Sequence, residues 1–217
     1  MNFNIKKGCN MKLIIFGSTG SVGQHLVNQA LEMGHNVTAF TRDAGKVKIE
    51  HNLLKVVEGN VLNYSSVNDS IKDKDIVFCT LGGGRKGKVR AEGTLNIIKA
   101  MENLKVRRLI CQTTLGCGES WENLNFFWKK IMFGWFLKQV YLDHNKQEKN
   151  ILNSNLDWTI IRPAAFTNGS LTKQFYSDFS PDNKSLKLKI SRADLAYFML
   201  QQLNNLKYLG KSVGISY

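Results

Sequence analysis

Three glycines near the start of the chain have the spacing of a phosphate-binding turn. Gly17, Gly20 and Gly23 stand in the stretch GSTGSVG, between the apolar run KLIIF and a segment with helical spacing. In such a turn the first glycine permits a tight bend, the second lets the backbone approach a pyrophosphate, and the third lets the helix pack closely on the strand. The following helix offers free N–H groups and the positive end of its dipole. The alternative is a glycine turn that binds nothing. The pattern predicts that a dinucleotide is bound by Gly17, Ser18, Thr19, Gly20, Ser21, Val22 and Gly23.

The adenosine half of such a cofactor is expected to lie at the ends of the second and third strands. NAD sites usually place a carboxylate after the second strand, whereas this strand ends in AFTRD. The guanidinium of Arg42 suits a 2′-phosphate and can stack on adenine, and Thr41 adds a hydroxyl. Asp43 would serve NAD instead, and Arg42 could also be a solvated loop charge. We predict NADP as the cofactor, with Asn60 and Val61 lining the adenine.

The glycine-rich stretch TLGGGRKGK (80–88) follows the fourth predicted strand. Leu81, Gly82 and Gly83 permit close approach of the backbone to the cofactor. Arg85 or Lys86 would then meet a phosphate or an acidic substrate. The alternative is a solvated loop that makes no such contact.

These residues require a framework of alternating strands and helices. Apolar runs predict strands at 12–16, 36–40, 53–59, 75–82, 107–114, 157–163 and 211–216, and helical spacing predicts helices at 22–34, 63–73, 90–104, 126–154 and 191–203. Apolar strands alternating with helices indicate the α/β class, with a Rossmann-type doubly wound parallel sheet covered by helices on both faces. We predict one domain over residues 11–217, preceded by a disordered leader at residues 1–10, so that Met1 or Met11 is the start.

Composition limits the class of protein. The 217 residues carry a net charge of +13, but the lysines are spread along the whole chain, so neither nucleic-acid binding nor membrane contact is expected. No apolar run reaches the roughly 18 residues of a membrane span, and no secretory signal is visible. The four cysteines form neither a Cys-x-x-Cys pair nor a zinc pattern. We expect reduced thiols, no metal site and a cytoplasmic protein.

Taken in order, the motifs resemble those of the atypical short-chain dehydrogenase/reductase family. The similarity covers about residues 12–216 and is carried by GSTGSVG, TRD, EGNVLNYSSV, DIVFCTLG, GTLNIIKAM, VRRLICQTTLGCGES, DHNKQEKNILNSNLDWTIIRP and ISRADLAYFMLQQL. Within the family the chain looks like the NAD(P)H-binding, NmrA-like branch that includes biliverdin-IXβ reductase, a flavin reductase. The resemblance implies NADPH at the carboxyl ends of the strands and a small C-terminal substrate region after strands five and six.

A hydroxyl at the end of the fifth strand would lie near the nicotinamide. Typical members hold the substrate carbonyl there with a Ser, and Thr114 matches that position best, with Thr113 as its neighbour on the cofactor. A Thr can donate the same hydrogen bond and polarise a carbonyl or flavin oxygen. The alternative is a Thr that only satisfies backbone groups. Cys117 is expected to be a bystander because no His/Asp relay is evident.

The proton-transfer pair Tyr-x-x-x-Lys of the family is not recognisable in KQVYLDHNKQEKN. Tyr141 is followed four residues later by Asn145. A register anchored on Glu148 and the following LDWTIIRP puts His144 at the Lys position and Val140 at the Tyr position. Tyr141 is then one residue, or about 100° of helix, out of place. We predict that the pair is absent and that His144, with an ordinary pKa of about 6.5, orients the nicotinamide ribose or relays a proton. A surface His on the helix is the alternative.

The resemblance also implies a backbone wall against the nicotinamide carboxamide. This wall follows the sixth strand and comprises Pro163, Ala164, Ala165 and Phe166. Arg162 is expected to be structural, paired with Asp194.

The aromatic stretch NFFWKKIMFGWFLKQVY (125–141) has three interpretations. It could line a pocket or form a lid, provide a surface for a partner, or touch a membrane with Lys129 and Lys130 as anchors. The function favoured is an NADPH-dependent oxidoreductase that passes hydride to a small molecule, namely a flavin, a quinone or a carbonyl compound. The alternative is an NADP-sensing regulator that binds a partner protein, and a homodimer also remains open.

Overall fold

The computed structural model describes residues 10–83, 88–180, 183 and 185–217. Its main strands and helices are β1 (Lys12–Phe16), α1 (Gly23–Glu32), β2 (Asn36–Thr41), β3 (Leu54–Glu58), α2 (Tyr64–Ile71), β4 (Ile76–Cys79), α3 (Val89–Leu104), β5 (Arg108–Gln112), a π-helix (Phe127–Phe136), α4 (Lys138–Leu152), β6 (Asp157–Pro163), β7 (Ala165–Thr167), β8 (Tyr176–Ser177), β9 (Lys189–Ser191), α5 (Arg192–Gln201) and β10 (Lys211–Ser216). Short 3₁₀ turns occupy Ala44–Lys46, Gly118–Asn123 and Leu206–Tyr208. The predicted leader lies outside the described residues except for Asn10.

Eight of the described strands form one sheet in the order β3-β2-β1-β4-β5-β6-β10-β8. Every neighbouring pair is parallel except β10 and β8. The strand order reverses between β1 and β4, where Phe16 lies opposite Phe40 on one side and Cys79 on the other. Open α/β sheets bind ligands at the carboxyl ends of the strands beside such a reversal. The predicted doubly wound sheet is confirmed.

Helices cover both faces of the sheet, which explains why the central strands β1, β4 and β5 are largely apolar. On one face Leu13 and Ile15 of β1 pack with α1 and α5. On the other face Ile14 and Phe16 pack with α2, α3 and α4. Because side chains alternate along a strand, the central strands β1, β2, β4, β5 and β6 contribute to both cores, which fixes the position of their carboxyl ends.

The predicted pairing of Arg162 with Asp194 is wrong. On β6, Ile160 belongs to the core beneath α3 and α4, and Arg162 lies on the same face two residues later. It pairs there with Glu148 of α4 at 2.7 Å. Asp194 lies on the opposite face at the start of α5, where it accepts hydrogen bonds from Ser191 and Tyr217.

The long helical stretch predicted for 126–154 divides into two elements. The π-helix ends at Phe136, and Leu137, with a φ of −115°, separates it from α4. Phe133 is buried, whereas Trp135 is 76% exposed. The aromatic stretch therefore has some rings in the protein interior and others on its surface. Among the described residues, no helix is long and apolar enough to span a bilayer.

The two-stranded pair of β7 and β9 and the short strand β8 were not predicted. Each of these three strands has only two or three residues, which is too few for a periodicity to appear in the sequence.

Candidate active site

The three glycines form a cradle in which two of them, Gly17 and Gly23, leave no room for a side chain. Gly17 has a φ of 84°, and a Cβ there would lie 2.5 Å from the carbonyl oxygen of Thr80. A Cβ on Gly23 would lie 2.1 Å from the carbonyl oxygen of Gly17, so this glycine permits α1 to begin against the turn. The N–H of Gly20 donates to the same oxygen at 2.9 Å and closes the turn. The loop has the shape that backbone approach by a phosphate requires.

The start of α1 is left open to an anion. Its N-cap residue, Val22, has no oxygen in its side chain, so no side-chain cap satisfies the first turn. Ser18 instead is buried and donates from its hydroxyl to the carbonyl oxygen of Phe40 at 2.9 Å, which ties the turn to β2. The N-terminal N–H groups and the dipole of α1 therefore face the side on which the glycines leave space.

One cavity of about 350 Å³ lies over the ends of β1, β2 and β3. Of the predicted residues, Gly17, Thr19, Gly20, Thr41, Arg42, Asn60, Val61, Leu81 and Gly82 line it. The side chain of Asn60 accepts from the N–H of Leu62 at 3.0 Å, which fixes the turn below the cavity.

Arg42 and Asp43 differ in how they are held beside this cavity. Arg42 is exposed. The carboxylate of Asp43 accepts from the N–H of Gly45 at 3.0 Å and lies 3.7 Å from the ammonium of Lys46. It thus caps the 3₁₀ turn Ala44–Lys46. The acid that would serve NAD already has structural partners.

A second cavity of about 390 Å³ lies over the ends of β4, β5 and β6. It shares Gly20, Leu81 and Gly82 with the first, so the two adjoin at the glycine turn. The predicted residues that line it are Gly20, Ser21, Val22, Leu81, Gly82, Thr113, Thr114, His144, Pro163, Ala164, Ala165 and Phe166. Trp128, Phe133 and Leu137 add apolar surface, which makes this end suitable for a planar group.

Three predicted residues in the described part of the chain line neither cavity. Ser18 bonds to the backbone of β2 and Gly23 packs against Gly17, so both stabilise the glycine turn. Gly83 follows the shared wall but lines neither cavity. Arg85 and Lys86 lie outside the described residues.

The two threonines after β5 have different surroundings. Thr113 is 2% exposed and donates from its hydroxyl to Oε1 of Glu148 at 2.6 Å. Thr114 is half-buried, and its hydroxyl makes a longer contact of 3.3 Å with the carbonyl oxygen of Leu115. Thr114 therefore has the hydroxyl that can turn toward a ligand, while the hydroxyl of Thr113 is committed to the framework.

His144 is buried rather than placed on the helix surface. Burial, reinforced by the nearby charge of Arg90, lowers its pKa to about 3. The ring is neutral at pH 7, so the ordinary His pKa does not apply to it. Its Nδ1 lies 3.1 Å from Oε1 of Gln147, while the amide nitrogen of Gln147 donates to Thr94 at 3.0 Å. An amide oxygen can only accept, so Nδ1 carries the proton and Nε2 is an acceptor.

Val140 and Tyr141 point to different places. Val140 lines the second cavity together with His144. Tyr141 packs its ring 5.0 Å from that of Phe133 and donates from its hydroxyl to the carbonyl oxygen of Gly116 at 3.2 Å. Burial raises the pKa of the nearby Cys117 thiol, which keeps it protonated. Val140 and His144 therefore lie on one side of α4 and Tyr141 on another.

Two polar residues of the second cavity, Arg90 and Gln112, were not predicted to lie in the site. Each is 9% exposed, and each has a buried atom, Nε of Arg90 and Oε1 of Gln112, without a hydrogen-bond partner among the described residues. Both left a signal in the sequence. Arg90 follows the glycine-rich loop at the start of a helix, and Gln112 is a polar residue in an otherwise apolar strand.

Known proteins resemble this chain, in sequence or in structure, along most of its length. The protein YMR090W of Saccharomyces cerevisiae is 26% identical over 208 residues, which cover 89% of this chain and 87% of that one. A short-chain dehydrogenase/reductase from Veillonella parvula, solved in complex with NADP, superposes with a TM-score of 0.81 at 18% identity and covers 96% of this chain and 95% of its own. ChuY, an anaerobillin reductase from Escherichia coli O157:H7, superposes with a TM-score of 0.78 at 23% identity, over 94% of this chain and 96% of its own.

The family assignment rests on the sequence as well as on the shape. Residues 17–206 match the family described as NAD(P)H-binding, a range that begins at the first glycine of the turn and ends after α5. The resemblance inferred from the motifs is confirmed. With its glycine cradle and its paired cavities, the chain belongs to the NAD(P)H-binding family.

Proposed function

We propose that the protein is a reductase that takes hydride from NADPH and passes it to a planar acceptor, a flavin or a quinone. The observation that carries this proposal is the second cavity, which joins the glycine turn to an apolar wall of Trp128, Phe133 and Leu137. A dinucleotide along both cavities would have its reactive ring beside a space for a flat, apolar molecule.

The choice of NADPH depends on the adenosine cavity. Arg42 is exposed and lines it, while Asp43 is engaged by Gly45 and Lys46. Asp43 also lines this cavity, but its carboxylate already has these partners, so the guanidinium of Arg42 favours a 2′-phosphate over a 2′-hydroxyl. The glycine cradle, which a Cβ would fill, fits the pyrophosphate.

When bound, the cofactor supplies the hydride, and the residues around it position the acceptor. Thr114 donates a hydrogen bond to an oxygen of the molecule that accepts the hydride. Ala164 and Phe166 exclude water from one side of the nicotinamide ring. Nε2 of His144 accepts a hydrogen bond and does not deliver a proton, because the ring is neutral. Val140 in the Tyr position offers no acid. A flavin or quinone needs little acid catalysis, so positioning provides most of the rate enhancement.

A screen of acceptors tests this proposal. NADPH would be incubated with FMN, with quinones and with aliphatic ketones, and its oxidation followed at the absorbance of the reduced nicotinamide. We expect turnover with the planar acceptors and little with the ketones. Thr114→Val, which keeps the shape and removes the hydroxyl, should reduce turnover, whereas Thr167→Val outside both cavities should not. Tight NADPH binding without oxidation by any acceptor would contradict a reductase.

That last outcome would favour the second candidate, an NADP-sensing regulator that binds a partner protein. The observation behind it is the π-helix, whose Phe133 lines the cavity while Phe126, Trp135 and Phe136 are exposed on the same segment. Such a segment can connect occupancy of the cavity to an apolar surface.

A further inference from the structure

A buried cation lines the second cavity on the side of α3. Arg90 stands in the first turn of α3, and 91% of its surface is covered, since it is 9% exposed. Its Nε has no hydrogen-bond partner among the described residues. An unpaired buried N–H is costly, so a group that accepts its hydrogen bond is expected to be supplied from within the cavity.

Asp143 of α4 holds this side chain in place. Its Oδ2 lies 3.5 Å from Nη1 of Arg90, and the same carboxylate accepts the backbone N–H groups of Arg90 at 3.2 Å and of Ala91 at 3.0 Å. The carboxylate thus orients one edge of the guanidinium and leaves Nε for another partner. Because both backbone bonds would survive loss of the side chain, Asp143 would stay satisfied in a variant at position 90.

The charge of Arg90 matters because the two residues of α4 that line the second cavity, Val140 and His144, supply none. In relatives with the Tyr-x-x-x-Lys pair a positive charge stands on this helix, but the register gives that position to His144. Burial and the charge of Arg90 keep His144 neutral. Two groups therefore take the place of the single Lys of such relatives. One is the cation of Arg90, and the other is the imidazole of His144, which accepts a hydrogen bond at Nε2.

The position of Arg90 in the cavities indicates which part of the cofactor it meets. Arg90 lines the second cavity and is absent from the wall of the adenosine cavity. The glycine turn at one end accounts for the pyrophosphate, and the backbone after Pro163 accounts for the nicotinamide. The group between them is the second ribose, whose hydroxyls both donate and accept. A donor at Nε of Arg90 and an acceptor at Nε2 of His144 match such a diol.

We propose that Arg90 is a positioning residue that holds the nicotinamide ribose, with the charge supplied from α3 in place of the Lys missing from α4. The inference rests on the cofactor assignment under Proposed function and not on hydride transfer. In this role the guanidinium of Arg90 determines how much affinity the second ribose contributes.

Binding of cofactor fragments tests this directly. Isothermal titration would measure the Kd of ADP and of ADP-ribose, each with and without a 2′-phosphate, for the parent protein and for Arg90→Met. The members of each pair differ by the second ribose and by the one phosphate charge that its ester bond removes. An unchanged Kd of ADP shows that this charge does not depend on Arg90, so the ratio of the two Kd values then isolates the contribution of the ribose. We expect Arg90→Met to reduce that contribution by about 10-fold or more and to leave the Kd of ADP unchanged. Arg90→Lys should restore part of it.

Controls separate this role from structural damage. Arg107→Met removes an exposed guanidinium that pairs with Asp157 away from the cavities and should leave every ratio unchanged. Equal weakening of ADP and ADP-ribose by Arg90→Met would overturn the proposal, because it would indicate a pyrophosphate contact or a damaged fold. Unchanged ratios would also overturn it, as would failure of all four ligands to bind the parent protein. None of the four ligands transfers hydride, so the measured Kd values can be interpreted even if the acceptor screen finds no turnover.

Discussion

Glu148 and Arg162 form a two-point ion pair beneath the second cavity. Nε of Arg162 donates to Oε1 of Glu148 at 3.0 Å, and Nη2 donates to Oε2 at 2.7 Å. Both side chains are buried, and Oε1 also accepts the hydroxyl of Thr113. The pair joins α4 to the ends of β5 and β6, so it fixes the height of Thr113 and His144 over the sheet.

Removing one partner should therefore destabilise the fold. Glu148→Gln leaves the buried charge of Arg162 without its main partner, and breaking such a pair costs about 3–5 kcal/mol of unfolding free energy. Glu119 also contacts Arg162, at 2.7 Å, but its side chain is 77% exposed. Glu119→Gln is the matched control and should cost less than about 1 kcal/mol. Urea denaturation measures both, and equal losses would show that the burial of Glu148 does not matter.

The exposed guanidinium of Arg42 should determine the preference between the two cofactors. Arg42→Ala removes the charge beside the adenosine cavity and should weaken NADPH binding about 10-fold or more while leaving NADH binding unchanged. Quenching of Trp fluorescence measures both affinities. Lys48→Ala, an exposed cation nearby that does not line this cavity, controls for a general effect of charge. Tighter binding of NADH than of NADPH by the parent protein would contradict the assignment.

Tyr141 should contribute to stability and not to proton transfer. Its hydroxyl donates to the carbonyl oxygen of Gly116. Tyr141→Phe should cost about 1 kcal/mol of unfolding free energy, the usual value of one hydrogen bond, and leave any reductase activity within a few-fold of the parent. Steady-state rates with the best acceptor measure the second effect. A fall of more than about a hundredfold, the low end of general acid catalysis, would show that Tyr141 is the acid and that the register is wrong.

The neutral His144 should make the fold sensitive to acid. Its pKa is lowered to about 3 in the folded protein, whereas the unfolded chain takes up a proton near the ordinary value of 6.5. Between these limits the unfolded state binds one more proton, so stability present above pH 6.5 is lost as the pH falls, by about 1.4 kcal/mol per unit. His144→Gln should remove this part of the slope.

Urea denaturation at pH values from 7 to 4 measures the slope for the parent and the variant. His25 is exposed on α1, so His25→Gln should keep the parent slope. An unchanged slope in His144→Gln would mean that the buried ring takes up its proton in the folded state.

The sequence alone was enough to predict the seven parallel strands of the sheet, the helices that cover it and the glycine turn, but not the short strand β8 or the division at Leu137. These depend on local periodicity and on backbone requirements, such as the positive φ of Gly17, that leave a direct trace in residue type. It also predicted that Val140 and His144 share one side of α4, because helical spacing fixes that relation.

Only the tertiary structure decided which groups meet across elements. The partner of Arg162 depends on which face of β6 it lies on, and the sequence gives no sign of whether α4 or α5 covers that face. The neutral state of His144 depends on burial and on Arg90, which is 54 residues away in the chain. Spatial neighbours from distant segments leave no periodic pattern, so their electrostatics appear only when the chain is folded.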